Sequence, residues 1–323
     1  MASGSVAITQ PYLRTVAVDA TQKTAQLVGE MHVSSADKTT ALLFMRLELS
    51  TGKFICSVAT INLEIGQEIL VSLPALELQQ ARLWWPHPLG PPNLYPVEMG
   101  AIICDSSIPA NDSCLDDLQQ LLHSYATPIN ENFRRRDLPS RCRCTLSDVV
   151  ALNVGIRTVE SYIDQKTEGR AFRINGQRLF LTGGNWIASD QLLRLSRERY
   201  VAELEMHKHM GLAMVRVWGG GITGLMQNND ILVLLSDETI IFYIERPDFY
   251  AACDVLGLLV YQEFWMTGEL CCDNNVTALM QEETIIHFIC PDVLKGTIMV
   301  VGRVHMTGQT TILRIWKMLV MLY

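Results

Sequence analysis

At 323 residues, 49% hydrophobic and 19% charged, the chain is long enough for two domains with buried cores and too apolar for a disordered protein. Its formal net charge of −8 argues against a nucleic-acid partner or an anionic membrane surface, since both repel an acidic protein. The longest apolar stretches, residues 231–244 and 311–323, carry charges and fall short of the roughly 20 residues that a membrane helix needs.

No basic, apolar leader follows Met1, so a cytoplasmic chain is the default expectation. Cys142-Arg-Cys144 and Cys271-Cys272 lack the spacing of a zinc site and read as free thiols. The basic run at Arg134–Arg136 reads as a solvated loop.

In chain order, residues 1–110 read as all-β. VAITQPYLRTVAVDA, TAQLVGEMHV, TTALLFMRLELS and FICSVATINLEI alternate apolar and polar positions, with turn residues between them and no intervening helix. Strands of that length and spacing predict an immunoglobulin-like β-sandwich over residues 1–160. An irregular insertion at about 105–148, with a short helix at Leu115–Leu122, reads as a surface loop inside its last hairpin.

Val149–Glu160 resumes as a strand, and Asn175-Gly176 marks a hairpin between two β-rich runs. A strand at Leu179–Thr182 then leads into a loop, Gly183–Asp190. Ser196 caps a helix running to Met210, Gly211 ends it, and a strand follows at Ala213–Trp218. LLVYQEFW at Leu258–Trp265 is a third apolar strand. The β, α, β order opens a parallel α/β fold. Residues 161–269 therefore read as the N-terminal part of a (β/α)8-type barrel. Residues 224–244 interrupt it without clear period or turn chemistry, and residues 270–323 stay unassigned. An unspliced intron and a shifted or false C-terminus would account for both segments; the alternative is a genuine lineage-specific insertion.

FRINGQRLFLTGGNWIASD, MVRVWGGG and ERPDFYAACDVLGLLVYQEFW resemble glycoside hydrolase family 2, on the side of the β-mannosidases, plant mannosylglycoprotein endo-β-mannosidases and exo-β-glucosaminidases. ARLWWPHPLGPPNLYPVEM and VGIRTVES resemble the sandwich that precedes the barrel in that family. The resemblance implies retaining hydrolysis of β-mannosidic or related β-glycosidic bonds, without metal or organic cofactor, on β-linked mannosyl or glucosaminyl glycans.

It also implies a sugar-binding surface at the strand tips. Asn185, Trp186 and Asp190 end the first strand: Asp190 would bond hydroxyls of the sugar beside the scissile bond, and Trp186 would wall a ring face. Arg216 and Trp218 flank the tip of the second strand, and Glu263 and Trp265 end the third. The bland alternative makes Trp218 and Trp265 packing residues and pairs Arg216 with Glu263.

Retaining hydrolysis needs two carboxyl groups roughly 5 to 5.5 Å apart. In the family these come from the fourth and seventh strands, the first of them in an Asn-Glu pair. The Asn-Glu here, Asn130-Glu131, lies in the insertion, so no residue carries over as catalytic. The expectation is a family homologue that is inactive alone; the alternatives are a non-catalytic glycan- or protein-binding fragment and a misannotated gene product.

Overall fold

The computed structural model describes residues 4–49, 52–104, 112–125, 129, 144–190, 192, 194–217, 233–235, 238–240, 245–262, 299–301 and 319–321. The chain divides into two units, Met1–Arg82 with Leu94–Ile156, and Leu83–Asn93 with Arg157–Tyr323.

In the first unit, β1 (Val6–Asp19), β2 (Thr24–Ser35), β5 (Glu68–Ser72) and β6 (Leu76–Gln79) form an antiparallel sheet in which β2 pairs with the other three. A second antiparallel sheet runs in the order β4 (Phe54–Leu63), β3 (Thr39–Glu48), β7 (Tyr95–Cys104), β8 (Cys144–Val154). Strand β2 buries every second residue, the period of a strand with one face on a core. Gly29 stands in that buried row. A Cβ there would meet Met45 Sδ at 2.8 Å and Met99 Cε at 3.1 Å, so the missing side chain lets the second sheet close over the first. The result is a β-sandwich.

Strand β3 breaks the alternation and is buried without interruption from Ala41 to Leu47. Its outer face is covered as well: Leu42 and Phe44 pack with Leu118 and Leu122 of α1 (Asp112–Ser124) and with Ile129. The insertion is therefore not simply a surface loop. Leu118 and Leu122, one turn apart on one helix face, make part of it a second covering layer.

Beneath that layer lies an ion pair. Arg46 and Glu98 are directly opposite on β3 and β7, with Arg46 Nη1 donating to Glu98 Oε2 at 2.9 Å. Arg46 Nη2 also donates to the Tyr125 carbonyl, and its guanidinium lies 3.7 Å from the centre of the Phe54 ring. Glu98 Oε1 accepts the Ile129 N–H at 2.8 Å. A buried charge pair is stable only where its remaining donors and acceptors find partners, and residues of the insertion supply two of them here.

Three further expectations need correction. Strand β8 starts at Cys144, so the insertion ends at 143. The strand expected over Val149–Glu160 is two, β8 and β9 (Val159–Ile163), with a break after Val154. Cys144 is disulfide-bonded rather than a free thiol, and it stands opposite Cys104 in the β7–β8 register. The Arg134–Arg136 run lies outside the described residues.

The second unit opens with β9, β10 (Arg170–Ile174) and β11 (Gln177–Leu179), a small antiparallel sheet. Asn175 and Gly176 turn between β10 and β11 with φ of 51° and 77°, as a two-residue hairpin requires. Then come β12 (Gly183–Trp186), α2 (Arg197–His209), β13 (Met214–Val217), α3 (Pro247–Leu256) and β16 (Leu259–Gln262). The three strands are parallel, in the order β12-β13-β16. Short antiparallel pairs, β14 (Val233–Leu235) with β15 (Glu238–Ile240) and β17 (Met299–Val301) with β18 (Leu319–Met321), fall in the interrupting segment 224–244 and the tail 270–323.

The first parallel strand is Gly183–Trp186, not Leu179–Thr182. Apolar content favoured LFLT, yet Leu179 completes the hairpin and Phe180 is 84% exposed. Glycine qualifies Gly183 for the strand, because a Cβ there would come within 3.0 Å of the Met214 carbonyl oxygen on β13. Helix α2 matches its reading: the Ser196 side chain accepts from Arg199 N, and Gly211 takes φ +82° just past the end.

Residues 83–93 form a strap in this unit. Trp84 is fully buried, and its Nε1 donates to the Asp254 carbonyl at 2.8 Å near the end of α3. His87 N donates to the Gly257 carbonyl, and Asn175 Nδ2 donates to the Trp84 carbonyl at 3.0 Å. Arg157 lies over the Trp84 ring. The buried Asp254 carboxyl is pushed up to about 7 by desolvation, which the Arg157 charge only partly offsets.

Candidate functional site

Side chains along a strand alternate between faces, so the three parallel strands present two distinct surfaces. On one, Trp186, Val215, Val217 and Val260 pack with Tyr200 and Leu204 of α2 and with Phe249 and Cys253 of α3. On the other, the register aligns Asn185, Arg216 and Tyr261 in a single row across β12, β13 and β16. Arg216 Nη1 donates to Asn185 Oδ1 at 2.9 Å, which holds a carboxamide and a guanidinium side by side. Such a row offers both donors and acceptors to a polyhydroxylated ligand.

Asp190 follows β12 and is already engaged. Its Oδ2 accepts from Arg194 Nε at 3.0 Å and its Oδ1 accepts the Leu192 N–H at 3.0 Å. These bonds, the Arg194 one foremost, hold its carboxyl below the usual aspartate range, so it is an anion at neutral pH.

Trp186 is not displayed at a strand tip. It is 3% exposed, with its ring centre 5.0 Å from that of Phe249 and 6.0 Å from that of Tyr200. Its position in the strand explains this: Trp186 shares a face with Gly184, toward the helices, and its neighbour Asn185 takes the open face. Trp218, Glu263 and Trp265 lie outside the described residues, and with them the expected pairing of Arg216 with Glu263.

Sequence reasoning missed a buried carboxylate. Glu245, just before α3, is fully buried; its Oε1 accepts from Trp186 Nε1 and its Oε2 from the Tyr200 hydroxyl, both at 2.9 Å. Desolvation pushes its carboxyl up, and the Trp186 and Tyr200 bonds pull the other way. Its two donors are 59 and 45 residues away in sequence, so no local pattern announces it. Tyr261 was also missed, although it stands within the LLVYQEFW run.

Residues 6–103 match the family model of Glycosyl hydrolases family 2. A mannosylglycoprotein endo-beta-mannosidase of Lilium longiflorum is 36% identical over 218 residues, 67% of this chain and 16% of that protein. The likeness is to glycoside hydrolase family 2, on its β-mannosidase side. A beta-mannosidase B of Aspergillus terreus is 29% identical over 197 residues, 60% of this chain and 16% of that protein. The chain thus spans 16% of the length of both curated relatives.

Among solved structures, the beta-D-mannosidase of Dictyoglomus thermophilum is similar with a TM-score of 0.61 at 22% identity, over 90% of this chain and 28% of that one. The exo-chitosanase of Amycolatopsis orientalis gives 0.55 at 18% identity, over 84% and 23%. At such identities the structural likeness speaks for the fold alone.

Proposed function

We propose that this chain contributes the sandwich and the first strands of a (β/α)8-type barrel to a β-mannosidase-like retaining glycosidase, and that the Asn185–Arg216–Tyr261 row faces the glycan. The ligand class is a β-linked mannosyl or glucosaminyl glycan. The observation that carries this reading is the row itself, set across parallel strands in a chain 36% identical to the lily enzyme over 218 residues. Within the reading, Asn185 and Arg216 bond sugar hydroxyls, and Asp190 reaches the sugar beside the scissile bond from its place between Arg194 and the Leu192 N–H. Trp218, Glu263 and Trp265 keep the roles that the resemblance implies.

The chain by itself binds and does not cleave. Retaining hydrolysis needs an acid/base and a nucleophile about 5 Å apart. Asp190 is already tied to Arg194 and the Leu192 N–H, and Glu245 is enclosed away from solvent on the helix side of the sheet. Calorimetry of the purified chain against a β-1,4-linked mannobiose, together with an aryl β-mannoside assay, tests both halves. Saturable binding that weakens in Asn185→Ala, with no nitrophenol released, is the expected result. Nitrophenol release that disappears in Asp190→Ala would overturn the non-catalytic half, and an absence of binding would overturn the other.

A further inference from the structure

We infer that Glu245 is a positioning residue for the Asn185–Arg216 face, acting through the indole of Trp186. This rests on the glycan-facing reading of that row and adds to it the residue that fixes its geometry.

Three elements meet at one carboxylate. Trp186 comes from the end of β12, Tyr200 from the fourth residue of α2, and Glu245 itself precedes the N-cap residue of α3, Arg246. Both carboxylate oxygens are used, each at 2.9 Å, and the group is sealed from water. An apolar side chain of the same volume would leave the indole N–H and the phenol O–H without an acceptor, and it would impose no direction. The carboxylate does impose one: an indole N–H and a phenol O–H must each point at it, which fixes the rotation of the Trp186 ring among Phe249, Tyr200 and His207.

The effect crosses the sheet through the backbone. Trp186 and Asn185 are consecutive on a strand of four residues and point to opposite faces. Fixing the indole on the helix side therefore fixes the pleat that aims the Asn185 carboxamide at Arg216, 2.9 Å away on the glycan side. Asn185 lies on the face turned away from Trp186, so its orientation is inherited from its neighbour.

Glu245→Gln keeps the volume and one acceptor but replaces the other with a donor, so it cannot serve both Trp186 and Tyr200. The test is the amide and indole nitrogen–proton NMR spectrum of the whole chain. The Trp186 indole and Asn185 side-chain signals are identified by their loss in Trp186→Phe and Asn185→Ala. In Glu245→Gln both signals are expected to move while backbone amides of β2 stay in place, and the affinity for β-1,4-mannobiose is expected to fall about tenfold.

A shifted Trp186 signal with an unmoved Asn185 signal would overturn the inference. Should Glu245→Gln fail to fold, Trp186→Phe removes a single donor and must still move the Asn185 signal for the idea to stand. If the wild-type chain binds no mannobiose, the glycan reading fails, and the Asn185 signal still decides whether Glu245 positions it.

Discussion

Each unit of the molecule buries a glutamate, and the two are accommodated by different means. In the sandwich, Glu98 faces a cation: Arg46 lies directly across the sheet, and the pair is closed over by α1, the Tyr125 carbonyl and the Ile129 N–H. In the α/β unit, both oxygens of Glu245 are met by neutral donors, an indole and a phenol, while the guanidinium of Arg246 reaches instead to the Leu195 carbonyl. Desolvation pushes both carboxyls up; the main opposing influence is the Arg46 charge for Glu98 and the Trp186 hydrogen bond for Glu245. The cationic arrangement fastens a covering layer to a sheet. The neutral one orients aromatic rings on the side of the sheet opposite the polar row. Burial of the same side chain thus serves attachment in one place and aim in the other.

The sharpest way to break this contrast is to remove the cation. Arg46→Met leaves Glu98 buried without its charge partner and is expected to cost about 3–5 kcal/mol in urea denaturation. Arg46→Met combined with Glu98→Leu should recover most of that loss, because no uncompensated charge remains. If the double variant is no better than the single, the pair is more than an attachment.

Asp254 offers a third case, a buried acid with incomplete compensation. Its folded value of about 7 lies above the ordinary 3.8, so the native state holds more protons than the unfolded state between those limits. Stability from this group is therefore full below pH 3.8, falls as pH rises toward about 7 and is flat beyond, with a slope of at most about 1.4 kcal/mol per unit. Asp254→Asn should remove that slope and leave the variant more stable than wild type at pH 8. Parallel pH–stability curves for the two proteins would discard the argument.

Removing Glu245 altogether sharpens the comparison from the other side. Glu245→Leu strands the Trp186 N–H and the Tyr200 O–H in an apolar core, a loss of about 2 kcal/mol, seen as a lower urea midpoint without collapse of the fold. A smaller effect is expected at Gly257, which ends α3 with φ +76° and lies 3.1 Å, measured from an ideal Cβ, from the Trp85 carbonyl. Gly257→Ala should cost about 1–2 kcal/mol and lower the thermal midpoint by a few degrees.

What the sequence disclosed followed the range over which each signal acts. Ser196, Gly211 and Asn175-Gly176 are decided by their own backbone chemistry, and the helix cap, helix end and hairpin stand where those residues put them. Strand β12 was missed because its first residue is chosen by proximity to Met214 rather than by apolarity, so GGNW was passed over for LFLT. That displacement also misjudged Trp186, since in a strand the start decides which side chains face the core. The two-sided burial of β3 was hidden because its cover, α1, lies more than sixty residues downstream. The Asn185–Arg216 neighbourhood was legible as two strand tips, but its alignment with Tyr261 depends on a register that only the paired strands define.

The strap at residues 83–93 has a consequence for how the polypeptide could be divided. The chain passes between its two units at 82/83, at 93/94 and again at 156/157, so neither unit is one continuous stretch. A protein begun at Arg157 would lack the Trp84 indole that donates to the Asp254 carbonyl, the His87 N–H that donates to the Gly257 carbonyl and the Trp84 carbonyl that accepts from the Asn175 amide. Two separately made pieces, 1–156 and 157–323, would then behave as a complementation pair, the second regaining its native core only when the first lends it eleven residues from the middle of its own sequence.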